Sequence, residues 1–196
     1  MKYDKPKKMR VMYFDLECKP GHWIGGDYVS KIITAAAWSI GNSKQVTVLT
    51  HYDTEPGHIA EAVAAEILAA DLVVGHYIRG FDLPLLNGEL LRAGAPPLDQ
   101  VLTHDTKGDL YPAHGRSKSQ ENLSSLLGIK AEKLKVTLEE WEQFNTKDLR
   151  GKAVGIKRVK DDVIQNREMR RALLERGWLG PPRVWQAGGK AAVYVP

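Results

Sequence analysis

Val11-Met12-Tyr13-Phe14-Asp15-Leu16-Glu17 is an apolar run that ends in two carboxylates separated by one residue. On a β-strand successive side chains point to opposite faces, so Asp15 and Glu17 share one face while Phe14 and Leu16 share the other. Neighbouring acids repel, and each pushes the other's pKa upward unless a positive group lies between them. Hard divalent ions such as Mg²⁺ are held by carboxylates of this kind. A strand end with two solvated acids satisfies the same pattern. The rest of the chain decides.

Working outward, residues 1–9 read as a basic arm and Arg10–Glu17 as the first strand. Cys18–Ser30 reads as a loop, marked by Pro20, Gly21, Gly25 and Gly26. Ile32–Ile40 and Gln45–Thr50 follow as strands around the turn Gly41-Asn42-Ser43-Lys44, which predicts a three-stranded antiparallel meander. The period then changes. Ile59, Val63, Ile67 and Ala70 recur at helical spacing after Asp53-Thr54-Glu55-Pro56, and Leu72–Gly75 is a short buried strand. A helix opens at Asp82-Leu83-Pro84 and stops at Gly94, and Val101–Thr103 is another strand. Lys107–Lys118 reads as a basic loop. Helices follow at Leu123–Leu127, after the capping box Thr137/Glu140, and from Ile156 to near Gly177. Trp141 and Trp178 fall in helical patterns and read as core. Strands leading into alternating helices and strands predict an α/β domain with a mixed sheet over residues 10–177, and residues 178–196 read as a tail.

Composition narrows the class. The 196 residues are 43% apolar, enough for one sizeable core and too apolar for a disordered chain. A lone cysteine, Cys18, excludes a disulfide framework and suits a reducing cytoplasm. No apolar run is long enough for a membrane span or a secretory signal, so no membrane partner is expected. The net charge of +4 is unevenly spread: residues 11–106 carry five Lys/Arg against twelve acids, and residues 107–171 carry fifteen against ten. An acidic half able to hold cations and a basic half able to hold a polyanion suit a metal-dependent nuclease. A solvated lysine-rich surface gives the same count.

Two further acids stand where strand ends and helices meet. Asp82 ends Gly75-His76-Tyr77-Ile78-Arg79-Gly80-Phe81-Asp82 and opens a helix, where an N-cap is the simple alternative. Asp162 lies at the margin of the apolar stripe of the last helix, where an i, i+4 ion pair with Arg158 is the alternative. There is no GxxxxGK[ST] loop and no GxSxG elbow, which removes the commonest nucleotide-hydrolase and serine-hydrolase readings.

Phe14-Asp15-Leu16-Glu17, Gly80-Phe81-Asp82-Leu83-Pro84 and Lys160-Asp161-Asp162-Val163 together resemble the three motifs of the DEDD 3′–5′ exonucleases. These belong to the ribonuclease H-like superfamily, which includes the proofreading domains of family B polymerases. The resemblance spans residues 10 to 175 and implies a ribonuclease H-like fold. It implies two Mg²⁺ or Mn²⁺ ions: Asp15 bridging both, Glu17 and Asp162 holding one, and Asp82 helping to hold the other. It also implies stepwise release of nucleoside monophosphates from a free 3′ end, with DNA the favoured substrate. A DNA polymerase or replication protein is a conceivable partner, and a cytoplasmic monomer is expected, of bacterial or bacteriophage type.

One departure matters. The family carries a Tyr four residues, or a His five residues, before the last Asp, and here those positions hold Arg158 and Lys157. Arginine stays protonated and cannot act as a base. Three explanations follow: the metal-bound water needs no base and Arg158 stabilises negative charge; Tyr77, His76 or His104 serves; or the chain binds nucleic acid and cuts it poorly. Candidate substrate contacts are His76, Tyr77, Arg116, Lys118 and Arg158, with Trp23 and Tyr28 as further stacking candidates and His104-Asp105 as a turn or a site neighbour.

Overall fold

A computed structural model of the chain describes residues 8–20, 23–24, 27–28, 31–129, 135–188 and 192–193. Most of the expected basic arm, and the side chains of Trp23 and Tyr28, lie outside the described residues. In chain order the elements are β1 (Val11–Lys19), β2 (Trp23–Ile24), β3 (Asp27–Tyr28), β4 (Ile32–Ile40), β5 (Thr47–Thr50), α1 (Pro56–Leu68), β6 (Leu72–Gly75), α2 (Asp82–Ala93), β7 (Gln100–Asp105), α3 (Gln120–Leu127), α4 (Leu138–Asn145), α5 (Leu149–Glu175), β8 (Arg183–Gln186) and β9 (Ala192–Val193).

Seven of the strands form one mixed sheet in the order β5-β4-β1-β6-β7-β8-β9, and β2 and β3 form a separate ribbon. The expected meander is present: β1 pairs antiparallel with β4, and β4 with β5. β6 then joins β1, and β7 joins β6, both in parallel.

The period-2 reading of β1 places the two layers. Met12, Phe14 and Leu16 are buried with Ile59, Val63 and Ile67 of α1 and Leu83, Leu86 and Leu90 of α2. Tyr13 faces the other way, into a cluster with Ala35, Ala37, Phe144, Val159 and Val163. Asp15 and Glu17 continue the Tyr13 face toward α5. They pair in register with Ala37 and Ala35, whose small side chains leave room for the helix. Where α4 meets α5 the approach is closer still. A Cβ on Gly155 would stand 2.2 Å from the Phe144 ring, and one on Gly151 would stand 2.3 Å from the Phe144 backbone nitrogen.

Three expectations are corrected. Residues 178–196 are not simply a tail, because β8 pairs antiparallel with β7, Gln100 opposite Gln186 through Thr103 opposite Arg183. No local pattern marks Arg183–Gln186, which is short and pairs with a partner some eighty residues earlier. The last helix begins at Leu149 rather than Ile156, since Asp148 caps it by accepting from the Arg150 amide. Trp178 is 46% exposed and not core, while Trp141 packs edge-on against Phe144 as expected. None of the described helices is long and apolar enough to cross a membrane.

Candidate functional site

Parallel pairing of β1 with β6 ends at Tyr13 and Val74, and beyond that point the strands part. Crevices at strand ends of this kind are the usual ligand sites of open α/β sheets. A cleft of about 340 Å³ opens there, lined by Asp15, Leu16, Glu17, His76, Tyr77, Phe81, Asp82, Lys107, Ser119, Gln120, Arg158 and Asp162.

Asp15, Glu17 and Asp162 each offer a carboxylate oxygen within 4.8 Å of the others, which makes this trio able to hold a metal ion. The convergence follows from two local periods. The i, i+2 spacing on β1 aims both acids at α5, and Val159 and Val163 bury the α5 face that carries Asp162. Asp162 is only 4% exposed.

Asp82 stands apart from the trio in the same cleft. It is the first residue of α2, one place after the N-cap position, which Phe81 holds. Its Oδ1 accepts the backbone N–H of Leu16 at 3.2 Å, between the two β1 acids. Burial pushes its pKa up to about 7, and the Leu16 hydrogen bond only partly opposes this. Gly75 makes the junction possible: a Cβ there would stand 2.0 Å from Ile78 Cγ2 and 3.1 Å from Phe14 O.

The loop from β6 to α2 is held by β7. Asp105, 1% exposed, accepts backbone N–H groups from Tyr77 (2.9 Å), Arg79 (3.2 Å), Lys107 (3.0 Å) and Gly108 (2.9 Å). His104-Asp105 therefore serves as turn chemistry, one of the two readings its position allowed. His104 itself bonds Gly180 O and Arg170, and burial lowers its pKa. Arg79 in turn grips buried Asp109 through both guanidinium nitrogens (2.9 and 2.6 Å), and Arg183 of β8 reaches the same carboxylate at 3.2 Å. Tyr77 adopts φ 66°, a conformation costly for a bulky residue. Its ring lies against Gly80, where a Cβ would come within 2.5 Å, and Lys107 Nζ stands 4.0 Å from its centroid. His76 Nδ1 pairs with Thr106 Oγ1 at 3.0 Å.

The basic candidates divide. Arg158 is in the cleft, with Nε 3.0 Å from Asp162 Oδ2 and 3.9 Å from Glu17 Oε1. The i, i+4 pair and the cleft position thus coexist, and the pair is not a surface one. Lys157 turns away to Asp161. Arg116 lines a separate apolar groove with Leu123, Leu126 and Trp178, and Lys118 does not line the acidic cleft. The physical reason is the α3 cap: Ser119 accepts from Asn122 N and turns the chain, so that Ser119 and Gln120 face the acids. Gln120 Nε2 donates to Asp162 O at 3.0 Å. Ser119 and Gln120 end the stretch Arg116–Gln120 whose hydroxyl, amide and cationic donors suit phosphate contacts, and they reach the cleft; Lys107 was missed, because nothing local distinguishes it within a basic loop.

No protein-family model matches the chain, and no curated protein matches it in sequence. Among solved structures, the family B DNA polymerase of the hyperthermophilic archaeon Pyrobaculum calidifontis shares the fold, with a TM-score of 0.65 at 17% identity. The match covers 88% of this chain and 25% of that polymerase, so the chain spans a quarter of the length of its neighbour. At that identity the likeness is one of fold: an α/β mixed sheet flanked by helices, consistent with the ribonuclease H-like class.

Proposed function

We propose that the chain is a metal-dependent 3′–5′ exonuclease that hydrolyses phosphodiester bonds of nucleic acid, with DNA the favoured substrate. The observation that carries this reading is the meeting of Asp15, Glu17 and Asp162 within 4.8 Å at a strand-end cleft. The fold shared with a family B DNA polymerase and the resemblance to the DEDD motifs support it.

The donor set fits the ions. It is made of carboxylate oxygens alone, which suit Mg²⁺ and Mn²⁺ rather than softer metals. Asp15, Glu17 and Asp162 would hold one ion, and Asp82 would help to hold a second. Bound divalent ions supply charge neutralisation and Lewis acidity at a scissile phosphate. The chain's own residues do the rest. Tyr77, fixed against Gly80, offers a face on which a terminal base can stack. Lys107 and Arg158 place positive charge beside the cleft for phosphate. Arg158 cannot take a proton from water and so is not the base; its charge stands beside Glu17 and Asp162. A DNA polymerase or another replication protein is the partner we propose, since the solved structure whose fold the chain shares is a DNA polymerase.

End-labelled single strands of DNA and RNA, incubated in parallel with Mg²⁺ or Mn²⁺, should shorten stepwise, while a circular strand stays intact. Asp15→Asn or Asp162→Asn should leave the substrate at full length. Full-length substrate with the wild-type chain in both metals would sink the proposal. One observation favours a second reading, a nucleic-acid-binding module of low activity: Arg158 stands where the DEDD enzymes carry Tyr. That reading expects binding of single strands without shortening.

A further inference from the structure

Arg158 is placed within reach of two of the three acids that could hold an ion. Its Nε is 3.0 Å from Asp162 Oδ2 and 3.9 Å from Glu17 Oε1, and its side chain is 17% exposed. An ion bound by the trio, whose oxygens lie within 4.8 Å of one another, would therefore be a close neighbour of the guanidinium. Two cations in one partly buried carboxylate cluster repel strongly. A lysine could relieve this by losing its proton, but an arginine cannot. It can only move.

The structure offers a place to move to. Arg158 also lines a second groove of about 480 Å³, next to the acidic cleft, whose walls include Glu121, Lys135 and Trp141. Ser119, Gln120 and Arg158 are common to both spaces. Glu121 can accept a guanidinium there, and the Trp141 ring can stack on it.

We infer that Arg158 is a displaceable counter-cation of the carboxylate cluster, partly offsetting the charge of Glu17 and Asp162 until a divalent ion binds and then turning into the Glu121–Trp141 groove. This rests on the metal reading above and adds a regulator to it. The cluster is kept partly compensated without metal, and metal affinity is lowered by the contacts that must be broken. Divalent ions then load the cluster appreciably only when they are plentiful.

The test is calorimetric titration of Mn²⁺ into the full chain stripped with EDTA, for wild type, Arg158→Gln and Arg158→Lys. Arg158→Gln should bind Mn²⁺ at least about tenfold more tightly, because the guanidinium contacts to Asp162 at 3.0 Å and Glu17 at 3.9 Å no longer have to be broken. Arg158→Lys should bind more tightly than wild type and less tightly than Arg158→Gln, because a lysine can move and can also give up its proton. Melting provides a second readout: without metal Arg158→Gln should melt lower than wild type, and saturating Mn²⁺ should raise its Tm by a larger increment. Equal or weaker Mn²⁺ binding by Arg158→Gln overturns the inference and leaves the metal site standing. Absence of Mn²⁺ binding in all three chains overturns both. A residue that merely packed would lower the melting temperature without tightening the metal.

Discussion

The backbone amide of Leu16, flanked by Asp15 and Glu17, donates to Oδ1 of Asp82 at 3.2 Å. The fourth acid is thereby tied to the strand that carries the first two, and it is 97% withdrawn from solvent, being only 3% exposed. Its carboxyl is raised to about 7 from 3.8 by burial. A raised carboxyl favours the native state at low pH, and that contribution is lost as pH rises from the unfolded value through the folded one. Asp82→Asn keeps the oxygen that Leu16 needs and removes the charge. In EDTA at pH 8 the variant should be more stable than wild type by on the order of 2–4 kcal/mol, and the difference should vanish below about pH 4. Urea unfolding at the two pH values checks this; a variant less stable at pH 8 would contradict it.

Gly80 leaves space for the Tyr77 ring, and a Cβ there would stand 2.5 Å from Tyr77 Cζ. The ring can swing aside, so Gly80→Ala should fold with a stability change within about 1 kcal/mol. The displaced ring should nevertheless weaken single-strand binding about as much as Tyr77→Ala does, roughly 1–3 kcal/mol. Fluorescence anisotropy of a labelled oligonucleotide in EDTA measures both. If Gly80→Ala binds like wild type while Tyr77→Ala does not, ring position is not what matters.

Asp109 has no exposed side-chain surface and is gripped by Arg79, itself 12% exposed. Removing one partner of a buried pair leaves a charge without compensation, which costs about 3–5 kcal/mol. Asp109→Ala should lose that much in thermal or urea unfolding. Arg183→Ala, which removes the more exposed partner, should cost under about 1 kcal/mol.

The parts of this fold that depend on local periodicity could be read from the chain. Asp15 and Glu17 share a face because strands repeat every two residues, and Asp162 joins them because Val159 and Val163 bury its side of a helix. The Gly75-to-Asp82 turn announced itself through its glycines. What stayed hidden depends on long-range meetings. β8 is recognisable only through its pairing with β7. Asp82 looks like an N-cap until its acceptor role toward Leu16 is seen. Arg158 and Asp162 look like any i, i+4 surface pair until the pair is found under the cleft wall, and Arg116 looked like a phosphate contact until the α3 cap turned it into another groove.

Gly155 lies seven residues before Asp162 on α5, roughly 10 Å along the axis at 1.5 Å per residue. A methyl group there would meet the Phe144 ring at 2.2 Å. Gly155→Ala should therefore lower stability by about 1–3 kcal/mol despite its better helix propensity, and Phe144→Leu in the same chain should recover part of the loss. The same substitution should weaken Mn²⁺ binding although it touches no acid. On that expectation an apolar contact two helical turns away would act as a spacer gauge, setting the tolerance within which three carboxylates could close on a single ion.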